Sequence, residues 1–326
     1  MNFYIKNKSS VFGGQEKYAL QLIENLYLKG HNVIFSGTPN LTIDNANTKK
    51  KYKNNITILN GNAALYHYAF KSVPGDFVIY VQHSNIDDAQ APIWKRWIRK
   101  TLLRILFLKV NLVIRVCNQA LPDNYAKGKI VTIYNGIPIP DIHLNTQKKF
   151  NFKLLMVGAL TKNKNQKMAI EALTKLPQAT LTLVGEGPEQ ANLEALTKQL
   201  GVNERVTFTG FITNPSEYYQ THDLLLMLSN FEAFPYVVLE SMAAFCPVVS
   251  VKVGGVPEAI QDNVNGWLLD SYSPKKLASK IEMISNNIVM YKHIANTARS
   301  TVEKRFTEEQ MVIQLLQEIN KRYKRK

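Results

Sequence analysis

Two carboxylates flank the predicted start of a helix in the second half of the chain. Glu232 lies in a short loop after an apolar, strand-like run, and Glu240 lies eight residues further on. The helix between them is predicted to begin at Tyr236, and its first backbone N–H groups have no helical partner, so they attract anions. A diphosphate at this N-terminus, with one carboxylate on ribose hydroxyls and the other on a sugar, would suit a nucleotide-sugar. The same spacing also fits two glutamates that are only surface and helix residues.

Two glycine-rich turns lie where phosphate-binding loops are expected. Gly13-Gly14 follows the first predicted strand and precedes the first helix, which lets backbone approach an anion at the helix N-terminus. The pair also fits a purely steric turn. Gly185-Glu186-Gly187 offers two glycines of the dinucleotide fingerprint, but the third is missing, so NAD binding is not supported.

Metal and disulfide chemistry find little support in the sequence. The chain has no Asp-x-Asp element, and Asp87-Asp88 are adjacent rather than spaced. The six histidines are scattered without ligand spacing. Cys117 and Cys246 are the only cysteines, which excludes a disulfide framework. We therefore expect neither a metal nor a resident cofactor, with a nucleotide-sugar as substrate.

Strand-like and helix-like segments alternate along both halves of the chain. Candidate strands in the first half are short β-branched or aromatic runs at 2–5, 32–36, 56–59, 77–82, 112–116 and 130–134. Those in the second half lie at 153–157, 180–184, 206–209, 224–228, 248–250 and 266–269. Candidate helices cover 15–29, 93–109, 166–174, 188–200, 215–220, 236–244, 274–285 and 308–323. Such alternation predicts an α/β protein with parallel sheets, which bind ligands at the carboxyl ends of their strands.

The length of 326 residues predicts two domains. A proline-interrupted linker over 134–149 predicts a first domain at 1–147 and a second at 148–305, with a helix and basic tail at 306–326 that packs back on the first domain. No apolar stretch approaches the ~18 residues of a spanning helix. The N-terminus is too short and polar for a secretory signal. We expect a cytoplasmic protein, peripheral at the inner face of the cytoplasmic membrane.

Positive charge is concentrated in the first half of the chain. The chain has 40 basic and 25 acidic residues, a net charge of +15. Residues 1–150 hold 20 basic and 8 acidic residues, or +12. This asymmetry predicts a polyanionic partner near the first half: nucleic acid, anionic lipid or a phosphorylated substrate.

The segment 93–109 is the densest basic stretch. On a helical repeat, an apolar face that includes Trp94, Trp97 and Ile98 lies beside a crowd of cations. Basic residues that flank tryptophan suit a helix at a lipid headgroup boundary. The expected membrane-surface residues are Trp94, Lys95, Arg96, Trp97, Arg99, Lys100 and Arg104. Alternatively, the helix packs Leu102, Ile105 and Leu106 on its sheet and leaves a solvated basic edge.

The run from Ser229 to Ala243 resembles the Glu-x7-Glu signature of glycosyltransferase family 4. Further matches follow in the expected order: Gly13-Gly14, Tyr134-Asn135-Gly136-Ile137, Val157-Gly158-Ala159-Leu160 with Lys164, Gly185 to Glu189, Val206 to Gly210, Gly254 to Glu258, and Asn265-Gly266. The resemblance covers the second half almost continuously and the first half patchily. It implies a retaining transferase of GT-B architecture, with two facing Rossmann-like domains, parallel sheets and an interdomain cleft.

The resemblance also assigns roles to individual residues. Glu240 would bind the ribose hydroxyls, Glu232 would contact the transferred sugar, and Lys164 would neutralise the departing diphosphate. Gly14 would bring backbone to the same phosphates, and His83 would lie near the acceptor and sugar, unless it is only a structural hydrogen-bonding residue. The expected catalytic residues are Glu232, His83 and Lys164. The expected donor-binding residues are Gly13, Gly14, Lys162, Lys164, Ala233, Phe234, Pro235, Tyr236, Val237 and Glu240.

One position departs from the family pattern. Many members carry arginine after the glycine at the end of the 153–157 strand, and this chain has Ala159. One diphosphate contact is therefore missing or supplied by Lys162 or Lys164. Ala233, often glycine in relatives, is compatible with a backbone contact unless a positive φ is needed.

We therefore expect metal-independent, retaining transfer of a sugar from a nucleotide-diphosphate donor, most commonly UDP in this family. The expected acceptor is a hydroxyl of a membrane-associated glycan, such as a lipid-linked or lipopolysaccharide-type precursor. Two other classes stay open. A nucleotide-sugar epimerase shares the architecture, and a basic nucleic-acid- or lipid-binding protein would explain the charge without catalysis. The basic residues form no recognisable nucleic-acid-binding motif, so no nucleic-acid partner is expected.

Overall fold

The structure is a computed structural model that describes residues 1–8, 13–37, 55–70, 76–86, 92–144 and 149–323. The chain divides into two compact units. The first consists of Met1–Ile137 together with Phe306–Lys326, and the second of Pro138–Arg305. The sequence predicts boundaries after residues 147 and 305, and the observed division falls at Ile137 and Arg305.

The described residues contain twelve strands and eleven α-helices. The strands are β1 (Asn2–Asn7), β2 (Asn32–Ser36), β3 (Asn55–Asn60), β4 (Phe77–Gln82), β5 (Leu112–Arg115), β6 (Ile130–Thr132), β7 (Lys153–Val157), β8 (Thr180–Val184), β9 (Val206–Gly210), β10 (Leu224–Met227), β11 (Val248–Val251) and β12 (Trp267–Leu269). The helices are α1 (Gly14–Leu28), α2 (Asn62–Phe70), α3 (Ile93–Leu108), α4 (Gln166–Leu173), α5 (Gln190–Gln199), α6 (Ser216–Thr221), α7 (Tyr236–Ala243), α8 (Val256–Ala259), α9 (Pro274–Ser285), α10 (Ile288–Arg305) and α11 (Glu308–Tyr323).

Each unit is built on one parallel sheet of six strands. The strand order is β2-β1-β3-β4-β5-β6 in the first unit and β12-β11-β10-β7-β8-β9 in the second. All strand pairs within the two sheets are parallel. The central strands are covered on both faces: β4, β10 and β11 are buried along their whole length. The α/β prediction with parallel sheets is confirmed.

The sequence pattern located the strands more completely than the helices. All twelve predicted strands and all eight predicted helices are present, with ends that agree within two residues. The helices α2, α8 and α10 were not predicted. The α2 sequence is apolar nearly all round, so it lacks the periodic contrast that marks a surface helix. Only four residues form α8. Only Asn286 and Asn287 separate the long α10 from α9, and the Asn287 side chain accepts a hydrogen bond from the Met290 N–H at 3.0 Å, a helix-start signal that the sequence analysis did not use.

Helix α11 belongs to the first unit although it comes last in the chain. It packs against α1, and the Tyr323 ring lies 5.7 Å from that of Phe77 at the start of β4. Asn25 on α1 donates a hydrogen bond to Glu308 at 3.1 Å. Contacts at both ends of α11 therefore fix it to the first sheet and its helices.

Parallel order brings the carboxyl ends of neighbouring strands to one edge of each sheet. In the first unit, Asn7 and Asn60 are register partners at the ends of β1 and β3. His83 follows β4, the next strand in that sheet. In the second unit, β7, β8 and β10 end beside the loops that carry Lys164, Gly185 and Glu232. These two edges hold the residues singled out by the sequence. Across the described helices, none is both long and apolar enough to cross a lipid bilayer.

Candidate functional site

Lys164 and Glu232 contact each other at the carboxyl edge of the second sheet. Lys164 lies in the loop between β7 and α4, and Glu232 in the loop between β10 and α7. The Lys164 Nζ is 2.5 Å from the Glu232 Oε1, and both side chains are mostly buried. The structure thus brings together two of the three expected catalytic residues. The Lys164 ammonium group, which here binds a carboxylate, can form the same kind of charge-assisted hydrogen bond to a phosphate.

Hydrogen bonds from backbone and from asparagine side chains tie these two loops together. Asn230 N–H donates to the Asn163 carbonyl at 2.8 Å, and the Asn163 amide donates back to the Phe231 carbonyl at 3.0 Å. The Asn230 side chain also donates to the Lys162 carbonyl at 3.1 Å. The hydrogen bonds of Asn163 and Asn230 therefore hold the two loops so that Lys164 lies next to Glu232. The Lys162 side chain is exposed, so its predicted phosphate contact stays a prediction.

A glycine turn supports the Glu232 loop from behind. A Cβ on Gly254 would lie 1.8 Å from the Glu232 carbonyl oxygen, and its φ of +50° lies in the left-handed region. Next to it, Gly255 N–H donates to the Ala233 carbonyl at 2.6 Å. Only glycine fits at position 254, because the two loops touch backbone to backbone. This gives a structural reason for the Gly254-Gly255 motif.

Helix α7 begins where the sequence predicts. Pro235 is its N-cap in an extended conformation, and none of the described side chains makes a capping hydrogen bond to the helix start. Phe234 and Tyr236 are buried in the core, while Ala233, Pro235 and Val237 are half-buried. Residues at 233–237 would therefore meet a ligand mainly through backbone. Their predicted donor contacts stay predictions.

Glu240 lies in the second turn of α7 and is held by a tyrosine of α6. The hydroxyl of Tyr219 donates to the Glu240 Oε2 at 2.8 Å. Tyr219 itself is buried. Burial, and then the adjacent Glu240 carboxylate, raise the pKa of Tyr219 well above its ordinary value, so the phenol keeps its proton and stays a donor. Sequence reasoning missed Tyr219, since its spacing to Glu240 carries no motif.

The turn after β8 packs against the turn after β7. A Cβ on Gly185, whose φ is +141°, would lie 2.2 Å from the Gly158 carbonyl oxygen. Leu160 N–H donates to the Glu186 carbonyl at 2.9 Å, which joins the turns. Gly185 is therefore required by the close approach of two backbones. Ala159, where the sequence departs from the expected family pattern, lies within this packed pair of turns.

In the first unit, a carboxylate already occupies the start of α1. Gly13 is the N-cap, and its N–H donates to the Glu16 Oε2 at 2.9 Å. Glu16 is buried and also accepts from the Asn7 amide at 3.2 Å. A buried glutamate at a helix N-terminus satisfies the groups that an anion would use. The predicted phosphate roles of Gly13 and Gly14 stay predictions.

His83 is half-buried at the carboxyl edge of the first sheet. Its Nε2 is 2.6 Å from the Asn60 Oδ1, and its ring meets Tyr18 edge-on at 4.8 Å between centroids. Burial lowers the pKa of His83 to about 3, so the imidazole is neutral at physiological pH. Sequence reasoning missed the polar side chains around His83. A signal was available, because β1 and β3 both end in asparagine, at Asn7 and Asn60.

Helix α3 buries one side and exposes another, broader apolar side. Leu103, Leu106 and Phe107 pack into the first unit, whereas Leu102 and Ile105 are exposed. The alternative prediction that Leu102, Ile105 and Leu106 pack on the sheet is right for Leu106, which is buried, and wrong for Leu102 and Ile105, which are exposed. The large exposed apolar residues are Ile93, Trp94, Trp97, Ile98, Leu102, Ile105 and Leu108.

The cations of α3 differ in exposure. Lys95 and Arg104 are exposed, and Arg96, Arg99 and Lys100 are half-buried. Lys95 lies over the Trp94 ring at 5.3 Å, and Arg104 lies over the Tyr125 ring at 5.2 Å. The exposed cations thus border the apolar side rather than forming a separate basic face.

Over the residues with described placement, no group of His, Cys, Asp or Glu side chains could hold a metal ion. Asp87 and Asp88 lie outside the described residues.

Comparison with known sequences finds a family match that lies within the second unit. Residues 142–301 match the family model described as Glycosyl transferases group 1. An uncharacterized glycosyltransferase of Methanocaldococcus jannaschii is 33% identical over 202 residues, which cover 56% of this chain and 52% of that protein. A Campylobacter jejuni protein is 27% identical over 213 residues, which cover 62% of this chain and 58% of that protein. It is named N-acetylgalactosamine-N,N'-diacetylbacillosaminyl-diphospho-undecaprenol 4-alpha-N-acetylgalactosaminyltransferase. The chain spans about half the length of these curated relatives.

Comparison with solved structures covers nearly the whole chain. The crystal structure of Anabaena HepE in complex with UDP-glucose aligns with a TM-score of 0.79 and 22% identity, over 98% of this chain and 100% of that one. This likeness shows the fold, which is that of GT-B glycosyltransferases and confirms the predicted fold class. The group 1 match, the relatives and the fold together support the GT-B glycosyltransferase superfamily. Membership of family 4 stays a prediction.

The close approach of Gly254 to the Glu232 loop predicts an unequal response to two alanine substitutions. Gly254→Ala should cost about 2–4 kcal/mol of unfolding free energy, since its Cβ would overlap a backbone carbonyl that cannot rotate away. Gly201→Ala is the matched control: its φ is +67°, but nothing lies within 4 Å of the added Cβ. It should cost only about 1–2 kcal/mol for the left-handed backbone. Urea unfolding of both variants tests this, and equal losses would show that the two loops do not touch.

Proposed function

We propose that this protein is a retaining, metal-independent glycosyltransferase that uses a UDP-sugar as donor. The observation that carries the proposal is the Lys164–Glu232 pair beside the start of α7, with Glu240 held by Tyr219 on the same helix. A nucleoside diphosphate needs charge neutralisation, backbone donors and a ribose acceptor, and these are supplied here by a cation, a helix N-terminus and a fixed carboxylate.

The proposed step follows from these charges. The bond between the anomeric carbon and the β-phosphate oxygen breaks, and the nucleoside diphosphate departs with the electron pair. A hydroxyl oxygen of the acceptor bonds to the same face of that carbon, and its proton passes to the departing phosphate. Lys164 and the α7 N-terminus stabilise the negative charge that develops on the phosphate, which is the main electrostatic task of the reaction. Glu232 contacts the sugar, and Glu240 accepts hydrogen bonds from the ribose.

The comparisons support two finer parts of this proposal. The HepE structure is a complex with UDP-glucose, which supports UDP as the nucleotide. The Campylobacter relative is named for an acceptor on diphospho-undecaprenol, a lipid carrier. We propose by extension that the acceptor here is a hydroxyl of a membrane-associated glycan, either lipid-linked or of the lipopolysaccharide type.

The proposal predicts that Lys164 dominates the binding of the nucleotide diphosphate. Lys164→Met should weaken UDP binding about tenfold to hundredfold, because one charge-assisted contact is lost and the Glu232 carboxylate is left facing the phosphates. Lys167→Met is the control: Lys167 lies on α4, is exposed and forms an ion pair with Glu171 one helical turn away. Isothermal titration with UDP, GDP and ADP measures the effect. Absence of UDP binding by the unsubstituted protein, or equal losses in both variants, would contradict the proposal.

Helix α3 supplies the second part of the proposal, contact with an anionic membrane surface at the inner face of the cytoplasmic membrane. Trp94 is 60% exposed, Trp97 67% and Leu108 77%, all on one side of the helix. Exposed apolar area of this extent on one helix marks an interaction surface. Tryptophan beside lysine and arginine is the composition that lies at a headgroup boundary. The surface would hold the enzyme where a lipid-carried acceptor is found.

The membrane proposal predicts different effects on vesicle binding for the loss of charge and for the loss of apolar contact. Lys95→Gln with Arg104→Gln should lower affinity for vesicles that contain phosphatidylglycerol about tenfold to thirtyfold, at ~1 kcal/mol for each cation. Trp94→Ser with Trp97→Ser should lower binding at any salt concentration. Lys275→Gln with Lys276→Gln removes the same charge from an exposed part of α9 and should change nothing. Vesicle sedimentation at two salt concentrations measures all three, and equal effects of the two charge variants would refute contact through α3.

A further inference from the structure

A network of buried amides lies at the carboxyl edge of the first sheet, behind His83. Asn7 and Asn60 end β1 and β3 and are almost completely buried, as is Glu16 at the start of α1. Gln15 donates to the Asn7 Oδ1 at 2.6 Å and to the Asn60 carbonyl at 3.0 Å. Buried amides with this many partners hold one orientation, because any flip would leave polar groups unpaired.

The orientation of the Asn60 amide is set by backbone. Its Nδ2 donates to the Gln15 carbonyl at 2.9 Å and to the Asn7 Oδ1 at 3.1 Å. A backbone carbonyl can only accept, so the group that faces it must be the amide nitrogen. The other end of the amide, Oδ1, therefore faces His83, where it lies 2.6 Å from the Nε2.

This orientation determines the tautomer of His83. An amide oxygen can only accept, so the Nε2 must carry the proton and donate it to Asn60. In the neutral ring the Nδ1 is then unprotonated and has a lone pair. Of the described residues, only Asn60 forms a hydrogen bond with the ring, and the side chain is partly exposed.

The charged and titratable groups around His83 do not favour an imidazolium. Tyr18 contacts the ring edge-on, and burial raises the pKa of its phenol, which stays uncharged. The Glu16 carboxylate is separated from the ring by Asn7 and Asn60, and it accepts from Gly13 and Asn7. Burial lowers the pKa of His83 to about 3. The neutral form therefore persists across physiological pH.

We infer that Asn60 is a positioning residue that fixes His83 as a neutral imidazole, protonated on Nε2, and leaves Nδ1 as a hydrogen-bond acceptor for a substrate hydroxyl. The identity of that hydroxyl rests on the proposed function, in which His83 meets the sugar or its acceptor. A neutral acceptor nitrogen suits this task, because an imidazolium has two donors and cannot accept from a hydroxyl. Asn60 thus keeps His83 as a neutral hydrogen-bond acceptor rather than a source of protons.

The tautomer can be measured without altering the network. Long-range proton–nitrogen NMR spectra of ¹⁵N-histidine-labelled protein distinguish a protonated from an unprotonated ring nitrogen. The signals of His83 are assigned as those missing from His83→Gln. We expect a protonated Nε2 and an unprotonated Nδ1, unchanged from pH 5 to pH 8. A proton on Nδ1, or titration near the ordinary histidine pKa of ~6.5, would overturn the inference.

Asn60→Asp tests whether Asn60 is the cause. The substitution keeps an acceptor oxygen beside Nε2 but adds a negative charge there, which favours the imidazolium. The titration midpoint of His83 should rise by about 1–3 pH units, and kcat/KM for transfer should gain an acid limb as the acceptor nitrogen becomes protonated. Asn55→Asp is the control. Asn55 begins β3, at the end opposite to Asn60, and accepts a hydrogen bond from Asn2. The titration midpoint of His83 should therefore not change in this variant.

Failure of this inference differs from failure of the proposed function. Asn60 is fully buried, so amide spectra of Asn60→Asp first establish that it folds, and the spectra of the unsubstituted protein decide the tautomer in any case. If the titration of His83 moves and the pH profile of transfer does not, the role of His83 in transfer is overturned. If UDP does not bind, the proposed function fails while the tautomer measurement still stands.

Discussion

The contact between Lys164 and Glu232 is the interaction on which the second-unit site depends. It joins the loops after two strands, and the other features of that edge serve to hold those loops in place: paired asparagines, the backbone approach at Gly254 and the buried start of α7. An ammonium group buried next to one carboxylate is stabilised there without a ligand. A diphosphate offers the same cation more negative charge, so the pair can open toward a ligand while the loops keep their positions.

The same design appears at the edge of the first sheet with neutral groups. Asn7, Gln15 and Asn60 form a buried network whose polarity is fixed by backbone carbonyls, and it orients one imidazole. In both units, parallel strands end together, and short side chains at those ends hold one functional group each. Tyr219 likewise holds Glu240 in place, because its buried hydroxyl stays protonated and donates a hydrogen bond to the carboxylate.

The sequence predicted the fold well because its signals are local. Most strands are short β-branched, aromatic or leucine-rich runs, and most helices show an apolar stripe, so local pattern located them. It failed at α2, where packing rather than pattern decides the helix, and the start signal of α10 at Asn287 was not used. The positions of Glu232, Lys164 and His83 in segments that follow strands, and of Glu240 on α7, followed from motif and order. Their partners Tyr219 and Asn60 did not, because they come from distant segments and only the folded chain brings them near. On α3, the pattern identified the exposed apolar residues but not that Arg96, Arg99 and Lys100 are half-buried.

The central claim is that Lys164 leaves the Glu232 carboxylate and binds the diphosphate when the nucleotide enters the site. A double-mutant cycle on UDP affinity tests it most directly, with Glu232→Gln, Lys164→Met and the combined variant. UDP has no sugar for Glu232 to contact, so Glu232→Gln should bind UDP at least as tightly as the unsubstituted protein, because the competing carboxylate is gone. In that background Lys164→Met should still weaken binding about tenfold or more. If Glu232→Gln instead loses as much affinity as Lys164→Met, the pair acts as one structural unit and the claim is contradicted.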